Sequence, residues 1–207
     1  RGDWLYNFWQ DADHVRGVWR RTTLDRYVGD DPRWETVIDV DALAAAEGEN
    51  WVWQGAQGLW PDYERYLVVL SRGGGDASVV REFDAVAKEF VAGGFAVPEA
   101  KSNVAWKDLD TVWVGTDFGE GSLTASGYPR IVKEWRRGTP LAEARTVYEG
   151  RVEDMGASGY SQHTPEGRYD FVQRRPEFFK SENFLVRDGR LIPLDVPADA
   201  EFSGIFK

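Results

Sequence analysis

The sequence predicts an all-β protein, a β-propeller built of four-stranded antiparallel blades. Three observations predict it. The first is the stretch Asn103–Arg136, which reads as strands that grade from dry to wet. Val104 and Trp106 start a short strand, and Lys107–Asp110 has the small acidic residues of a turn. In Thr111–Asp117 both alternating sets are apolar or small, as in a strand covered on both faces. Arg130–Arg136 mixes Ile131, Val132 and Trp135 with Lys133 and Glu134, so a third strand nearer water is expected. The second observation is a repeat. Trp60 and Trp106 stand 46 residues apart, as do Tyr66 and Val112, and Ser71 and Asp117. A period of about 40–50 residues with several strands per copy marks blades that must stack to bury their faces. The third is another copy in Asp154–Asp195, with a corner at QHTPEG and a hairpin turning at Asp188-Gly189.

Taken in order, Leu5–Gln10 and Val15–Leu24 read as strands joined through DADH, and Glu35–Asp39 as a third after GDDPR. This first blade would be short of its innermost strand. Asp41–Glu47 is the one good helix, with Asp41 expected as N-cap and Gly48 as its end. Trp51–Leu59, Arg65–Ser71, Ala77–Phe83 and Glu89–Val91 form the second blade, turning at Gly73-Gly74-Gly75-Asp76. The expected blades are 1–39, 51–92, 103–149 and 154–195, with a further one opening at 199–207, all within one partial propeller domain spanning 1–207.

At 207 residues the chain can bury one sizeable core, and 42% hydrophobic with 29% charged residues sets it among globular rather than disordered proteins. A net charge of −10 argues against nucleic acid and anionic membrane surfaces as partners. With no Cys there is no disulfide framework, thiol nucleophile or Cys-based zinc site. No apolar run approaches the ~18 residues of a membrane span, and no signal peptide opens the sequence. A cytoplasmic location is the expectation, with the periplasm left open. Both ends read as cuts, since strand-like residues begin at Leu5 and another strand opens near Lys207.

The search for chemistry returns little. Gly156-Ala157-Ser158-Gly159-Tyr160 comes nearest to a nucleophile elbow, but Tyr160 stands where the second Gly must be and no helix follows. His14 and His163 are expected in surface turns. Asp11/Asp13, Asp39/Asp41 and Asp108/Asp110 suit turns and helix capping better than a calcium loop. Gly119-Glu120-Gly121 lacks the third Gly of a dinucleotide loop. Trp106 and Trp113 are expected to pack between blades rather than form a sugar-binding surface. No catalytic residue, metal site or cofactor is predicted for these residues.

Four blocks carry a family likeness: Tyr6–Tyr27, Trp34–Trp53, Pro61–Asp84 and Val97–Ala144, which includes NVAWKDLDTVWVGTDFGEGSLTASGYPRIVKEW. In this order they resemble the amino-terminal propeller of the prolyl oligopeptidase family of serine peptidases, in a bacterial branch. The resemblance implies a seven-bladed propeller capping a carboxy-terminal α/β-hydrolase domain that holds the Ser, Asp and His. At about 45–55 residues per blade, 207 residues would supply about four of the seven blades. It implies a parent peptidase that hydrolyses short peptides, with the propeller as the gate, and a segment inactive by itself. It also implies that Trp113 and Val114 form part of a substrate-pocket wall. The implied partners are a short peptide and the hydrolase domain. The rival reading is a non-catalytic interaction propeller, though the chain has no Trp-Asp dipeptide and no Gly-His start. If the ring is open, Leu5, Phe8, Phe171 and Phe184 would be exposed at the ends, and the isolated chain would self-associate through them.

Overall fold

The computed structural model describes residues 2–29, 32–197, 199–200 and 202–205. They form antiparallel sheets in two compact units, Arg1–Glu99 and Ala100–Lys207.

In the first unit, β1 (Trp4–Trp9) pairs with β2 (Val18–Thr23), from Trp4↔Thr23 to Trp9↔Val18. A single turn, α1 (Leu24–Tyr27), leads away from β2, and β3 (Glu35–Asp39) returns along it to complete a three-stranded sheet. Next comes α2 (Val40–Glu47). Its N-cap is Asp39, whose carboxylate accepts from Ala42 N at 3.0 Å, and not Asp41 as the sequence suggested. Asp41 instead accepts from the backbone N–H groups of Arg16 and Gly17, clamping the entry to β2. Gly48 closes the helix at φ 66°, the left-handed conformation that Gly adopts without steric cost.

The second sheet runs β4 (Trp51–Gly58), β5 (Arg65–Arg72), β6 (Ser78–Asp84) and β7 (Glu89–Phe90), with β8 (Ala96–Ala100) also on β6. The sequence reading missed β8 because Pro98 and Glu99 weaken its pattern; at a sheet edge a Pro is tolerated. Trp19, Val37, Ile38, Val40, Trp51, Tyr66, Val68, Leu70 and Phe83 are buried in one cluster. Tyr6 stacks on Trp19 at 4.8 Å, and Trp19 meets Tyr66 edge-on at 4.8 Å, so aromatic pairs join the two sheets.

The second unit holds β9 (Asn103–Asp108), β10 (Thr111–Gly115), β11 (Ile131–Arg136) and β12 (Arg145–Glu149) in one sheet, and β13 (Gly156–Thr164), β14 (Gly167–Glu177), β15 (Lys180–Arg187) and β16 (Arg190–Pro193) in the other. Within β10, Val112, Trp113 and Val114 have no exposed surface, as expected of a strand covered on both faces. The third strand is drier than its alternation implied. Val132 and Trp135 lie on opposite parities and both are buried, so both faces of the strand are covered; the extra residue at the register shift against β12 is Val147, on β12. The corner placed at QHTPEG is shorter, because β13 runs on through His163 to Thr164. Asp188 (φ 52°) and Gly189 (φ 72°) are both left-handed, as the two-residue hairpin between β15 and β16 requires.

Of the residues expected to be exposed at the ends, Phe171 is fully buried beneath Tyr160 and Phe202. Leu5, Phe8 and Phe184 are half-buried; Phe8 stacks on Trp53 at 5.4 Å and Phe184 packs on Tyr148 at 5.7 Å. Phe171 is covered because the tail returns along β13, where the Gln162 amide donates to Ile205 O at 2.8 Å and accepts from Ile205 N at 2.9 Å. The expected opening of a further blade lies partly outside the described residues, at Glu201, Phe206 and Lys207.

Candidate functional site

Trp113 and Val114 sit in the interior of the second unit. Trp113 packs with Ala105, Val132, Ala157 and Val172, and its Nε1 donates to Ser161 Oγ at 2.9 Å. Gly159 lies against it so closely that a β-carbon there would stand 2.7 Å from the indole. The Gly-x-Ser-Gly run is therefore spaced for packing. Ser158 is half-buried on β13 and is hydrogen-bonded to neither histidine. His14 sits in the β1–β2 link with Nδ1 2.9 Å from Asp11, which raises its pKa. His163 lies within β13 and has its pKa lowered, first by burial and then by the charge of Arg168. The acidic pairs act as turn and cap groups: Asp11 accepts from Asp13 N and His14 N, and Asp108 from Asp110 N. Among the described residues no cluster of three or more His, Cys, Asp or Glu side chains could hold a metal. No helix among them is long and apolar enough to cross a membrane.

At the ends of β9 and β10 nearest the Asp108–Thr111 turn, charges are saturated by one another. Lys107 pairs with Glu134 and, at 3.2 Å, with Asp170, while its ammonium lies 4.7 Å over the Trp113 ring. Arg168 bridges Asp108 and Asp170. Burial works to raise the Glu134 pKa, but the hydrogen bonds from Lys107 and Arg145 outweigh it and hold the carboxyl below its usual range. With every member paired, this network suits holding strands in place rather than proton transfer.

The opposite ends of these strands frame an open cleft of about 260 Å³. Asn103 at the start of β9, Tyr128 before β11, Ser158 near the start of β13, and Gln173 and Arg175 towards the end of β14 line it. Phe178, in the β14–β15 turn, forms its lip. A second hollow of about 300 Å³ continues past Gln173, Arg175 and Phe178 towards Phe179 and Lys180. Backbone bonds fix the walls: Ala157 N donates to Pro129 O, and Met155 N to Arg175 O, both at 2.8 Å. Arg175 donates to Phe178 O at 3.2 Å and has no carboxylate partner among the described residues. Phe178 is 63% exposed and Phe179 84%, although turn chemistry asks for no aromatic there. An arginine fork, two amides and aromatic walls in a groove can hold an extended polar backbone by its carbonyls and pack its side chains. No nucleophile and base pair is present in the cleft among the described residues.

The sequence reading missed this cleft. Its one signal was the phenylalanine pair of RRPEFFK standing between two strands.

The model of the prolyl oligopeptidase N-terminal β-propeller domain matches residues 1–186. The chain belongs to this family. An uncharacterized peptidase of Sinorhizobium fredii is 40% identical over 213 residues, covering all of this chain and 29% of that protein. An uncharacterized peptidase of Rickettsia prowazekii is 29% identical over 221 residues, covering all of this chain and 31% of its own length. Among solved structures, a post-proline cleaving enzyme from Rickettsia typhi superposes with a TM-score of 0.92 at 29% identity, over all of this chain and 32% of that one. The chain thus spans about a third of the length of these relatives. Membership of the prolyl oligopeptidase propeller family accounts for the blade-like sheets.

Proposed function

We propose that residues 1–207 are the gating and substrate-contacting propeller portion of a serine peptidase that cleaves short peptides after proline. The triad would lie in an α/β-hydrolase domain outside these residues. There serine attacks the scissile carbonyl, histidine takes and returns the proton, and aspartate orients the histidine. The propeller contributes selection by size and exclusion of water around the peptide. No cofactor is needed for this chemistry. The Rickettsia typhi enzyme, described as post-proline cleaving, supports the reaction class.

The observation that carries the reading to particular residues is the cleft beside Arg175. Its fork is held at the Phe178 carbonyl and meets no acid among the described residues, so it is free to donate to carbonyl oxygens of an extended peptide. Phe178 and Tyr128 supply apolar walls, and the cleft's size suits one or two residues rather than a folded protein.

The test is steady-state kinetics of the full-length protein on chromogenic proline peptides. Arg175→Gln should lower kcat/KM by about tenfold, equivalent to about 1.4 kcal/mol of transition-state stabilisation. Phe178→Ala should raise KM with a smaller effect on kcat. The 207-residue chain alone should leave these substrates intact, with or without Ser158→Ala. Unchanged kcat/KM in Arg175→Gln would remove the cleft from the substrate path. A full-length protein without post-proline cleavage would overturn the reaction class.

A further inference from the structure

The sheet β1-β2-β3 has a second face, turned away from Tyr6 and Trp19 by the alternation of side chains along each strand. Arg20 lies on it between two indoles. Its guanidinium carbon is 4.5 Å from the ring centre of Trp9, at the end of β1, and 4.5 Å from that of Trp34, just before β3. Its Nε donates to Oδ1 of Asn7, its partner in the β1–β2 register, at 3.1 Å. Tyr27 meets Trp34 edge-on at 6.0 Å and extends the ladder. Two rings and one amide therefore set the plane of the fork before any partner arrives, which lowers the ordering cost of binding.

The other strand arginines of this sheet and its neighbour each meet a carboxylate. Arg21 ends on Glu35, Arg65 on Asp84, Arg72 on Glu49 and Glu99, and Arg81 on Glu47. The terminal nitrogens of Arg20 meet no carboxylate among the described residues. Asp11, whose charge acts on Arg20, is already engaged by Trp9 Nε1 and by the N–H groups of Asp13 and His14. Trp9 remains 45% exposed.

We propose that Arg20, held between Trp9 and Trp34, receives a carboxylate from a later sheet of the same polypeptide, the sheet that closes the propeller against the first. This rests on the reading above that residues 1–207 are part of a longer peptidase. Two observations select that occupant. The other face of β1-β2-β3 is already covered, by Trp53 and Tyr66 of the second sheet, and closure of a propeller covers every sheet on both sides. The chain also makes up only 29–32% of its relatives' length, which leaves ample chain to supply the closing sheet. A fork preset between rings takes a carboxylate through two parallel hydrogen bonds, a geometry that fixes register as well as contact.

The test uses the full-length protein carrying Arg20→Lys, treated with a zero-length carbodiimide coupler and mapped by mass spectrometry on a mixture of light and heavy isotopic copies. The expected product is an amide between the amine introduced at position 20 and an Asp or Glu beyond residue 207 of the same molecule. Links only to acids within 1–207 would overturn the proposal, as would links between light and heavy copies, or no link at all. Wild-type protein gives an independent readout by hydroxyl-radical oxidation. Trp9 and Trp34 should be protected in the full-length protein, whereas oxidation as fast as a free tryptophan derivative would show the face uncovered. Neither measurement reads peptidase activity. A protein that fails to cleave after proline would sink the functional reading, yet the cross-link at position 20 would still form if the sheets close as proposed.

Discussion

Trp113 Nε1 donates a 2.9 Å hydrogen bond to Ser161 Oγ, and Ser161 passes a 2.7 Å bond to Asp170 Oδ1. The chain of donors ties β10 to β13 and ends on a carboxylate that Lys107 also holds. An indole N–H in a dry site must be satisfied, and here one hydroxyl does it. Ser161→Ala should therefore cost about 1–3 kcal/mol in urea denaturation, more than the bond itself contributes, because the indole N–H is left unpaired. In a Trp113→Phe background the same change should cost much less. Equal costs in the two backgrounds would show that the bond carries no stability.

Gly159 and Gly75 offer a paired test of packing. A β-carbon at 159 would lie 2.7 Å from the Trp113 ring and 2.8 Å from Val132, whereas at 75 the closest atom is a backbone oxygen at 4.0 Å. Gly159→Ala should destabilise by about 1–3 kcal/mol through overpacking. Gly75→Ala should stay within about 0.5 kcal/mol of wild type. Thermal melts of both variants decide it, and similar shifts would mean that the two sheets separate more readily than they pack.

Trp106 is 5% exposed in β9, while Trp4 is half-buried at the start of β1 beside Arg21. Trp106→Ala should cost about 3–5 kcal/mol, as for other buried large aromatics. Trp4→Ala should cost clearly less. The comparison is the difference in urea midpoints at constant slope, and equal midpoints would contradict the burial.

Glu35 ties the β3 end of the first sheet to Arg21 and Lys88. The hydrogen bond from Arg21, then that from Lys88, lowers its pKa from 4.5 to about 2 against a smaller opposing effect of burial. The folded pKa lies below the unfolded one, so the unfolded chain binds the proton more readily. The stabilisation is present above about pH 4.5 and is lost as pH falls towards about 2. Because the carboxylate is about a third exposed, solvent screening keeps the effect modest. Glu35→Gln should flatten the acid limb of a stability–pH curve in that window and leave its slope at neutral pH unchanged. An unaltered acid limb would show that Glu35 is not a source of it.

Much of the fold was legible in the residues because strand burial is written in alternation. The uninterrupted apolar run Val112–Val114 announced a strand with two dry faces, and Asp188-Gly189 announced a two-residue hairpin. Where reading failed, two physical signals competed. Asp39 and Asp41 are both good caps, and only the path of β3 decides that Asp39 meets the helix N–H while Asp41 reaches back to Gly17. Val132 and Trp135, one on each face, show that β11 is covered on both sides, which the charged residues between them had masked.

The candidate site was far less legible. Asn103, Tyr128, Ser158, Arg175 and Phe178 come from four separate stretches, and no spacing links them. What the residues alone determined was class and repeat: a β-rich chain, a 46-residue period, no thiol and no motif for covalent chemistry. Those follow from composition and local periodicity, which act over a few neighbours at a time. Tertiary structure alone decided that the Trp113 indole meets Gly159 and that Arg175 opens onto a cleft. It also decided that Arg20 stands between Trp9 and Trp34. Both outcomes depend on which sheet faces meet, and that is set by packing among residues far apart in sequence.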